Sequence, residues 1–312
     1  MKKKLLPVLI CPSCLPNEYP LAEHIEEELG EDIVQGLLSC QECGGAYPIR
    51  NGVAFLDPAS AGEKGTQSRY ESPRVLSSYL WSHFGDLLGD AEASDAYARW
   101  AGLMEGTSGM CLDMGCAVGR FAFEMSLNSD FVVGLDNSAT FIQTARELML
   151  HRELRFSLVQ EGLLTREVAL QLPEAWKMDR VELIVGNALA LPFRSRSFTA
   201  LAGLNLVDKV PVPLKHFAEM NRTAMAEDAQ FLFSDPFSWS GDAAKEEDWL
   251  GGKETGPYPG RGMDNVIALL KGEGGRLVPG WKIQQTGHVW WKIRTHCNHF
   301  ELIRSQFIKA VR

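Results

Sequence analysis

The chain has 312 residues, 45% of them hydrophobic, with 31 Lys and Arg against 40 Asp and Glu, a formal charge of −9. Its length allows one large domain and a small one. The acidity argues against binding a phosphate backbone, which takes a basic face; the local basic runs, Lys2 to Lys4 and Arg294 to Arg312, read as solvated faces.

The start, three lysines and the apolar run Leu5 to Ile10, has the outline of a signal peptide. Six apolar residues are too few for a secretory core, and no small-residue cleavage site precedes Cys11. The run is expected to be an apolar strand. No stretch approaches the ~20 apolar residues of a membrane span. The expectation is a cytoplasmic protein, whose seven cysteines favour metal over disulfides.

Cys11-Pro-Ser-Cys14 and Cys40-Gln-Glu-Cys43 are two C-x-x-C pairs separated by 25 residues. Each turns two thiolates toward one point, and together they make the tetrahedral sulfur site that structural zinc prefers. Alternation in residues 33–38 predicts a strand leading to the second pair. The words that follow, GAYPIRNGVAFL at 45–56, resemble the "YPI-x-x-G-I-P" ending of a zinc-ribbon family, the small activator subunit of tRNA, rRNA and release-factor methyltransferases. The resemblance implies a ribbon over residues 1–57 with a scaffolding or partner-binding role, so a protein partner is expected there.

Residues 58–69 have a linker's small, polar composition. From Tyr70 to Met104 the pattern is helical, with Val75, Leu76, Tyr79, Leu80 and Phe84 on one face. This segment is expected to cap the larger domain, residues 70–312. Tyr79, Trp81 and His83 are candidates for a pocket border, although aromatics at this spacing are more often core.

In residues 111–120, an apolar strand ends at Asp113, a small-residue turn follows, and Gly119 opens a helix. Gly115, Ala117 and Gly119 would let a ligand approach the backbone closely, and free amides at the helix start would meet its polar groups. Such a turn is shared with dinucleotide enzymes. The next strand ends at Asp136, followed by Asn137, 23 positions after Asp113; a carboxylate there suits ribose hydroxyls. The stretch GNALALPF at 186–193 resembles the "G-D-A-x-x-L-P-F" motif of class I methyltransferases that use S-adenosylmethionine (SAM). Asn187, beside Ala188, stands where that family has the acid that meets the adenine amine. A fourth strand, 198–204, ends at Asn205. The order of strands and turns implies an α/β, doubly wound, Rossmann-like sheet with ligands at the carboxyl ends of its strands. The presence of both Asp113 and Asp136 argues against a non-catalytic regulator.

Further segments resemble one subfamily, the mercaptohistidine methyltransferases of ovothiol synthesis: YLWSHFG at 79–85, DMGCAVGRFAFE at 113–124, DNSATFI at 136–142, NLVDKV at 205–210, SDPFSW at 234–239 and WLGG at 249–252. That implies methylation of the ring nitrogen of a histidine-derived thiol, a small-molecule acceptor. The chain departs from the subfamily in its fused ribbon and in the stretch from Ile293 to His299. Asn205, Asp208 and Asp235, at strand ends, are the candidates to orient the acceptor. The segment from Ser234 to Tyr258, with Trp239 and Trp249, is expected to close over the pocket. His296 and His299 read as structural, and Cys111, Cys116 and Cys297 as packing residues. A methyltransferase of the translation machinery, acting on RNA or protein, is the alternative.

Overall fold

The computed structural model describes residues 1–58 and 69–312. The expected linker therefore lies, except for Pro58 and Arg69, outside the described residues. The amino-terminal unit is a four-stranded antiparallel sheet of β1 (Ala22–Leu29), β2 (Asp32–Ser39), β3 (Ala46–Arg50) and β4 (Val53–Ala54). The β3–β4 hairpin turns on Asn51 (φ +50°) and Gly52 (φ +75°), the pair of positive φ values that a two-residue hairpin needs. Gly52 is also crowded from outside: a Cβ there would sit 2.3 Å from the Arg146 guanidinium.

The run Leu5 to Ile10 is not a strand. Lys3–Val8 form a 3-10 helix, because Pro7 has a fixed φ and no N–H for a ladder. Leu9 and Ile10 keep only single bridges, to Phe193 and Pro20.

The larger unit is built on a seven-stranded sheet in the order β12-β13-β11-β10-β5-β6-β9. Its parallel centre comprises β5 (Thr107–Met114), β6 (Ser129–Asp136), β9 (Val181–Val185), β10 (Ala200–Leu204) and β11 (Gln230–Asp235). Its antiparallel flank is one long hairpin, β12 (Lys282–His296) and β13 (His299–Val311). The strand order reverses between β5 and β10, and at such a switch point a crevice opens beyond the strand ends. This is the doubly wound α/β sheet expected.

Helices α1 (Pro73–Phe84) and α2 (Ala96–Gly102) lie ahead of the sheet. Ser72 caps α1 by accepting from the Val75 N–H at 3.3 Å, and Pro73 occupies its first turn. Helix α1 is buried more broadly than one stripe: Trp81 and His83 are inside together with Leu80 and Phe84. A hairpin of β7 (Glu153–Glu161) and β8 (Leu164–Gln171), inserted after α4 (Ala139–His151), is tied to α1 by the Ser77 hydroxyl donating to Ser157 O (2.9 Å).

The two units share a core. Leu9, Ile33, Leu38 and Tyr47 of the first join Leu112, Phe131, Ile184 and Phe193 of the second in one apolar cluster. Main-chain bonds cross the junction: Leu56 N–H to Val185 O (2.7 Å), Ile10 N–H to Pro192 O (3.0 Å) and Arg194 N–H to Val8 O (2.9 Å). Buried Arg146 lies between Glu182 (2.9 Å) and Asp32 (3.8 Å). Arg222 joins Glu18 (2.9 Å) to Glu219 (2.7 Å). No helix among the described residues is long and apolar enough to cross a membrane.

Candidate active site and four-cysteine centre

The four ribbon cysteines converge. Cys11 Sγ and Cys43 Sγ are 3.6 Å apart, Cys14 Sγ and Cys40 Sγ 3.8 Å, and all four lie within 4.8 Å of one another. A tetrahedral ion ~2.3 Å from each sulfur needs them about 3.8 Å apart, so the donor set fits zinc and leaves no open coordination position. The Tyr47 hydroxyl lies 3.3 Å from Cys11 Sγ and 2.8 Å from Ser13 Oγ, orienting the first knuckle from outside the sulfur cage.

A cavity of about 390 Å³ opens beyond the carboxyl ends of the central strands. One wall is made of strand ends and the turns after them: Gly115 and Ala117 after β5, Asp136 and Asn137 after β6, Asn187 and Ala188 after β9. Gly115 has φ +75° and Ala117 φ +46°; the absent side chain and the single methyl keep this wall low. Four of the turn's amides, where the sequence suggested free ones at the helix start, are taken within the chain. Gly115 and Cys116 N–H donate to Leu135 O (2.8 and 3.1 Å), Ala117 N–H to Asp136 Oδ2 (2.9 Å) and Gly119 N–H to Cys116 O (2.9 Å). The turn thus offers close approach rather than donors. Gly119 itself does not line the cavity: it caps the short helix α3 (Arg120–Met125) with φ +83°, where a Cβ would press on Phe123 at 3.0 Å.

Asp136 receives one N–H on each oxygen, Ala117 on Oδ2 and Ser138 on Oδ1, both at 2.9 Å. Burial raises its carboxyl to about 6, so it is ionised at neutral pH. Asp113 is different. It lies beneath the wall, 1% exposed, with Oδ2 unpartnered. Burial, reinforced by the charge of Asp136, pushes it up to about 8, so it carries a proton at neutral pH. Asn187 Oδ1 caps its own turn by accepting from Leu189 N–H (2.9 Å), which leaves the oxygen's second lone pair for a ligand.

The rest of the lining comes from distant parts of the chain, among them His83 of α1, Tyr97 of α2, Trp291 of β12, and Asn205 and Lys209 after β10. His83 stacks on Tyr97 (ring centroids 4.0 Å apart), its Nε2 2.8 Å from the Tyr97 hydroxyl. Burial, with Arg120 nearby, holds the imidazole well below its usual range, so it is neutral. Its backbone is fixed by Arg120. That side chain donates to His83 O (2.7 Å), forks onto Asp86 (2.7 and 2.9 Å), and reaches Glu124 (2.8 Å). Asn205 takes φ +55°, and its Oδ1 accepts from the Ser305 hydroxyl at 2.5 Å.

Asp208 and Asp235 do not line the cavity; they are buried behind Lys209. Lys209 Nζ meets Asp208 Oδ2 at 2.9 Å, which also accepts from Ser238 N–H (3.0 Å). Asp235 accepts from Phe237 N–H (2.7 Å) and Asp208 N–H (3.3 Å). Burial raises both carboxyls, Asp235 furthest because Asp208 lies beside it. These acids brace Lys209 and the loop at 236–238 rather than face a ligand.

The expected Trp-rich lid is not there. No residue between Ser234 and Tyr258 lines the cavity. Trp239 and Trp249 stack in parallel (14° between planes, 6.3 Å between centroids), and Trp239 and Tyr258 pack on the shared apolar core. Beyond the strand ends and the turns after them, α1, α2 and Trp291 of β12 contribute to the lining. We therefore expect Trp249→Ala to cost about 2 kcal/mol of stability, less than a fully buried aromatic does, and to leave S-adenosylhomocysteine (SAH) affinity unchanged. A weakened affinity at unaltered Tm would restore the lid.

Residues 112–227 match the family described as methyltransferase domain, and residues 2–52 the family described as Trm112p-like protein. The chain is a SAM-dependent methyltransferase. Solved structures that resemble it include a chain from the complex of the Haloferax volcanii Trm112 methyltransferase activator (12% identity, covering 79% of this chain and 99% of that one, TM-score 0.47). SAM-dependent methyltransferases from Aquifex aeolicus (13%, 77% and 97%, 0.45) and Methanosarcina mazei (17%, 70% and 96%, 0.42) also resemble it. No curated protein matches the chain significantly. In this methyltransferase, of the three residues offered as a pocket border, Tyr79 and His83 line the cavity and Trp81 does not, while sequence reasoning missed Tyr97, Lys209 and Trp291. The resemblance over residues 79–85 and 205–210 was the one signal for His83 and Lys209; nothing local marked Tyr97 or Trp291.

Proposed function

We propose that the methyltransferase acts on a small polar acceptor, a histidine-derived thiol methylated on a ring nitrogen. The observation that carries this reading is the cavity's enclosure: its walls come from α1, α2, β12 and the strand ends, which suits a compact ligand better than a polymer strand. SAM, when bound, supplies a methyl group that an in-line nucleophile displaces from sulfonium. In this reading Asp136 accepts from the ribose hydroxyls with Asn137 beside it, and Asn187 and Ala188 border the adenine. Gly115 and Ala117 admit the chain of the cofactor, while Asn205, Lys209, His83 and Trp291 hold the acceptor. Their work is positioning and exclusion of water.

The four cysteines hold structural zinc, and the ribbon serves the catalytic unit in cis. The ribbon's likeness to the Trm112p family favours a second reading, a translation-machinery substrate bound through the ribbon. Against RNA stands the ribbon's outermost strand, where Glu23, Glu26, Glu27 and Glu28 are all exposed and would repel phosphates. Labelled-methyl transfer should be assayed on a panel of thiol-histidine compounds and on bulk tRNA. We expect incorporation into a panel member, with a rate that varies less than twofold between 50 and 200 mM salt. Methylated tRNA, with affinity falling by powers of ten over that range, would establish the second reading instead.

A further inference from the structure

Three residues that line the cavity each carry a buried polar nitrogen with no protein partner: His83 Nδ1, Asn205 Nδ2 and Trp291 Nε1. A buried polar nitrogen left without a partner costs about 1–3 kcal/mol, so three in one cavity point to a ligand that completes them. They are contiguous. The Trp291 ring meets Tyr97 edge-on at 6.3 Å, Tyr97 stacks on His83, and Asn205 is tied to Ser305, whose strand partner Val289 lies two residues before Trp291. The cofactor reading uses Asp136, Asn137 and Asn187 at the strand ends, which leaves these three nitrogens for the acceptor.

What His83 offers there depends on its tautomer, and the relative strengths of the paired groups decide it. The Tyr97 hydroxyl has His83 Nε2 as its one hydrogen-bond partner among the described residues. Burial keeps that phenol protonated, so it has a hydrogen to place. Either tautomer leaves one donor of the pair unmatched, but a phenol O–H is a stronger donor than a neutral imidazole N–H, and a bare imidazole nitrogen a stronger acceptor than a phenol oxygen, so the bond runs from Tyr97 to Nε2. The ring proton then sits on Nδ1. We propose that His83 is fixed by Tyr97 as the Nδ1–H tautomer and donates this bond to the bound methyl acceptor, acting as a donor and not as a base. Tyr97 is then a positioning residue. With Trp291 Nε1–H, a donor only, and the Asn205 amide, this part of the lining presents N–H groups and takes no proton away. It therefore selects an acceptor whose lone pair is available at neutral pH, such as an imidazole nitrogen or a thiolate, over an alcohol. The proposal rests on the reading of the cavity as a methyl-transfer site.

The tautomer is measurable without an acceptor. Long-range ¹H–¹⁵N correlation on the full chain labelled with ¹⁵N-histidine, with H83N used to assign the signal, should show His83 protonated at Nδ1. Y97F should move the ring to the Nε2–H form or to a mixture. A wild-type Nε2–H pattern overturns the proposal, as does a Y97F pattern identical to wild type. With a panel acceptor, H83N places an amide N–H near the Nδ1 position and H83Q does not, so H83N should retain at least ten times the kcat/KM of H83Q. Equal losses in both variants, the signature of a base, overturn it. SAH affinity should be the same in wild type, H83N and H83Q. A loss confined to the variants would assign His83 to the cofactor and end the proposal. If wild type itself binds no SAH, the functional reading fails instead, and the tautomer result stands apart from it.

Discussion

The Asp136→Ala variant is expected to bind SAH at least a hundredfold more weakly than the wild-type chain. Each oxygen of Asp136 accepts one backbone N–H, from Ala117 and Ser138, and each retains a lone pair for a ribose hydroxyl. Hydrogen bonds to a charged group contribute about 1.5–3 kcal/mol each, so losing two weakens binding by roughly two to four powers of ten. The variant also removes the acceptor that holds the turn at Ala117. A pH arm separates charge from shape. Ribose hydroxyls donate to the ionised carboxylate, and burial raises this carboxyl to about 6. Binding therefore favours the deprotonated form, and wild-type affinity should fall as pH drops from 7 to 5, approaching tenfold per unit below 6. Asp136→Asn, which does not titrate, should bind more weakly than wild type at pH 7 and change little with pH. Calorimetry across that range checks both; an Ala variant of wild-type affinity would remove Asp136 from the cofactor site.

Loss of the metal should have a still larger effect, on stability. Structural zinc contributes about 10–16 kcal/mol of apparent binding energy to small domains that have little core of their own. Metal analysis of the purified chain should give about one zinc. Chelation or Cys40→Ser should expose residues 1–57 to protease. The damage should not stop there, because Leu9, Ile33, Leu38 and Tyr47 belong to the same apolar cluster as Ile184 and Phe193. We expect the melting of the catalytic unit to fall with that of the ribbon, in one transition. A Cys40→Ser chain with full zinc and unchanged melting would refute the centre; two separate transitions would refute the coupling.

The parts of the site legible in the sequence are those where local chemistry leaves little choice. Two C-x-x-C pairs bring four sulfurs together because short knuckles have few other uses, and strands ending at Asp136, Asn187 and Asn205 line the cavity because a parallel sheet gathers its carboxyl ends. Residue type alone does not say which way a side chain faces. Asp208 and Asp235 read as site acids, yet Asp208 is taken up by Lys209 and by the Ser238 N–H of the loop after β11, and Asp235 by the Phe237 N–H of its own loop. Trp239 and Trp249 read as a lid, yet Trp239 packs on the core beside it and Trp249 stacks on Trp239. Trp291 lies nearly two hundred residues from Tyr97, and the alternation of Val289, Trp291 and Ile293 along β12 marks an inward face without saying which residues it meets. Leu5 to Ile10 shows the same limit: hydrophobicity placed it inside, but Pro7 chose its backbone.

The junction at Phe55 and Leu56 has one more consequence. Strand β9 is the last in its sheet, with a row of main-chain groups facing outward; Phe55 bridges to Val185 in parallel, and Leu56 donates to it. A bare parallel edge is a template for pairing with another copy of itself. The ribbon's final strand is thus a shield against self-association. A catalytic unit produced without it would be exposed to aggregation along β9 even if every residue of the cavity stayed in place.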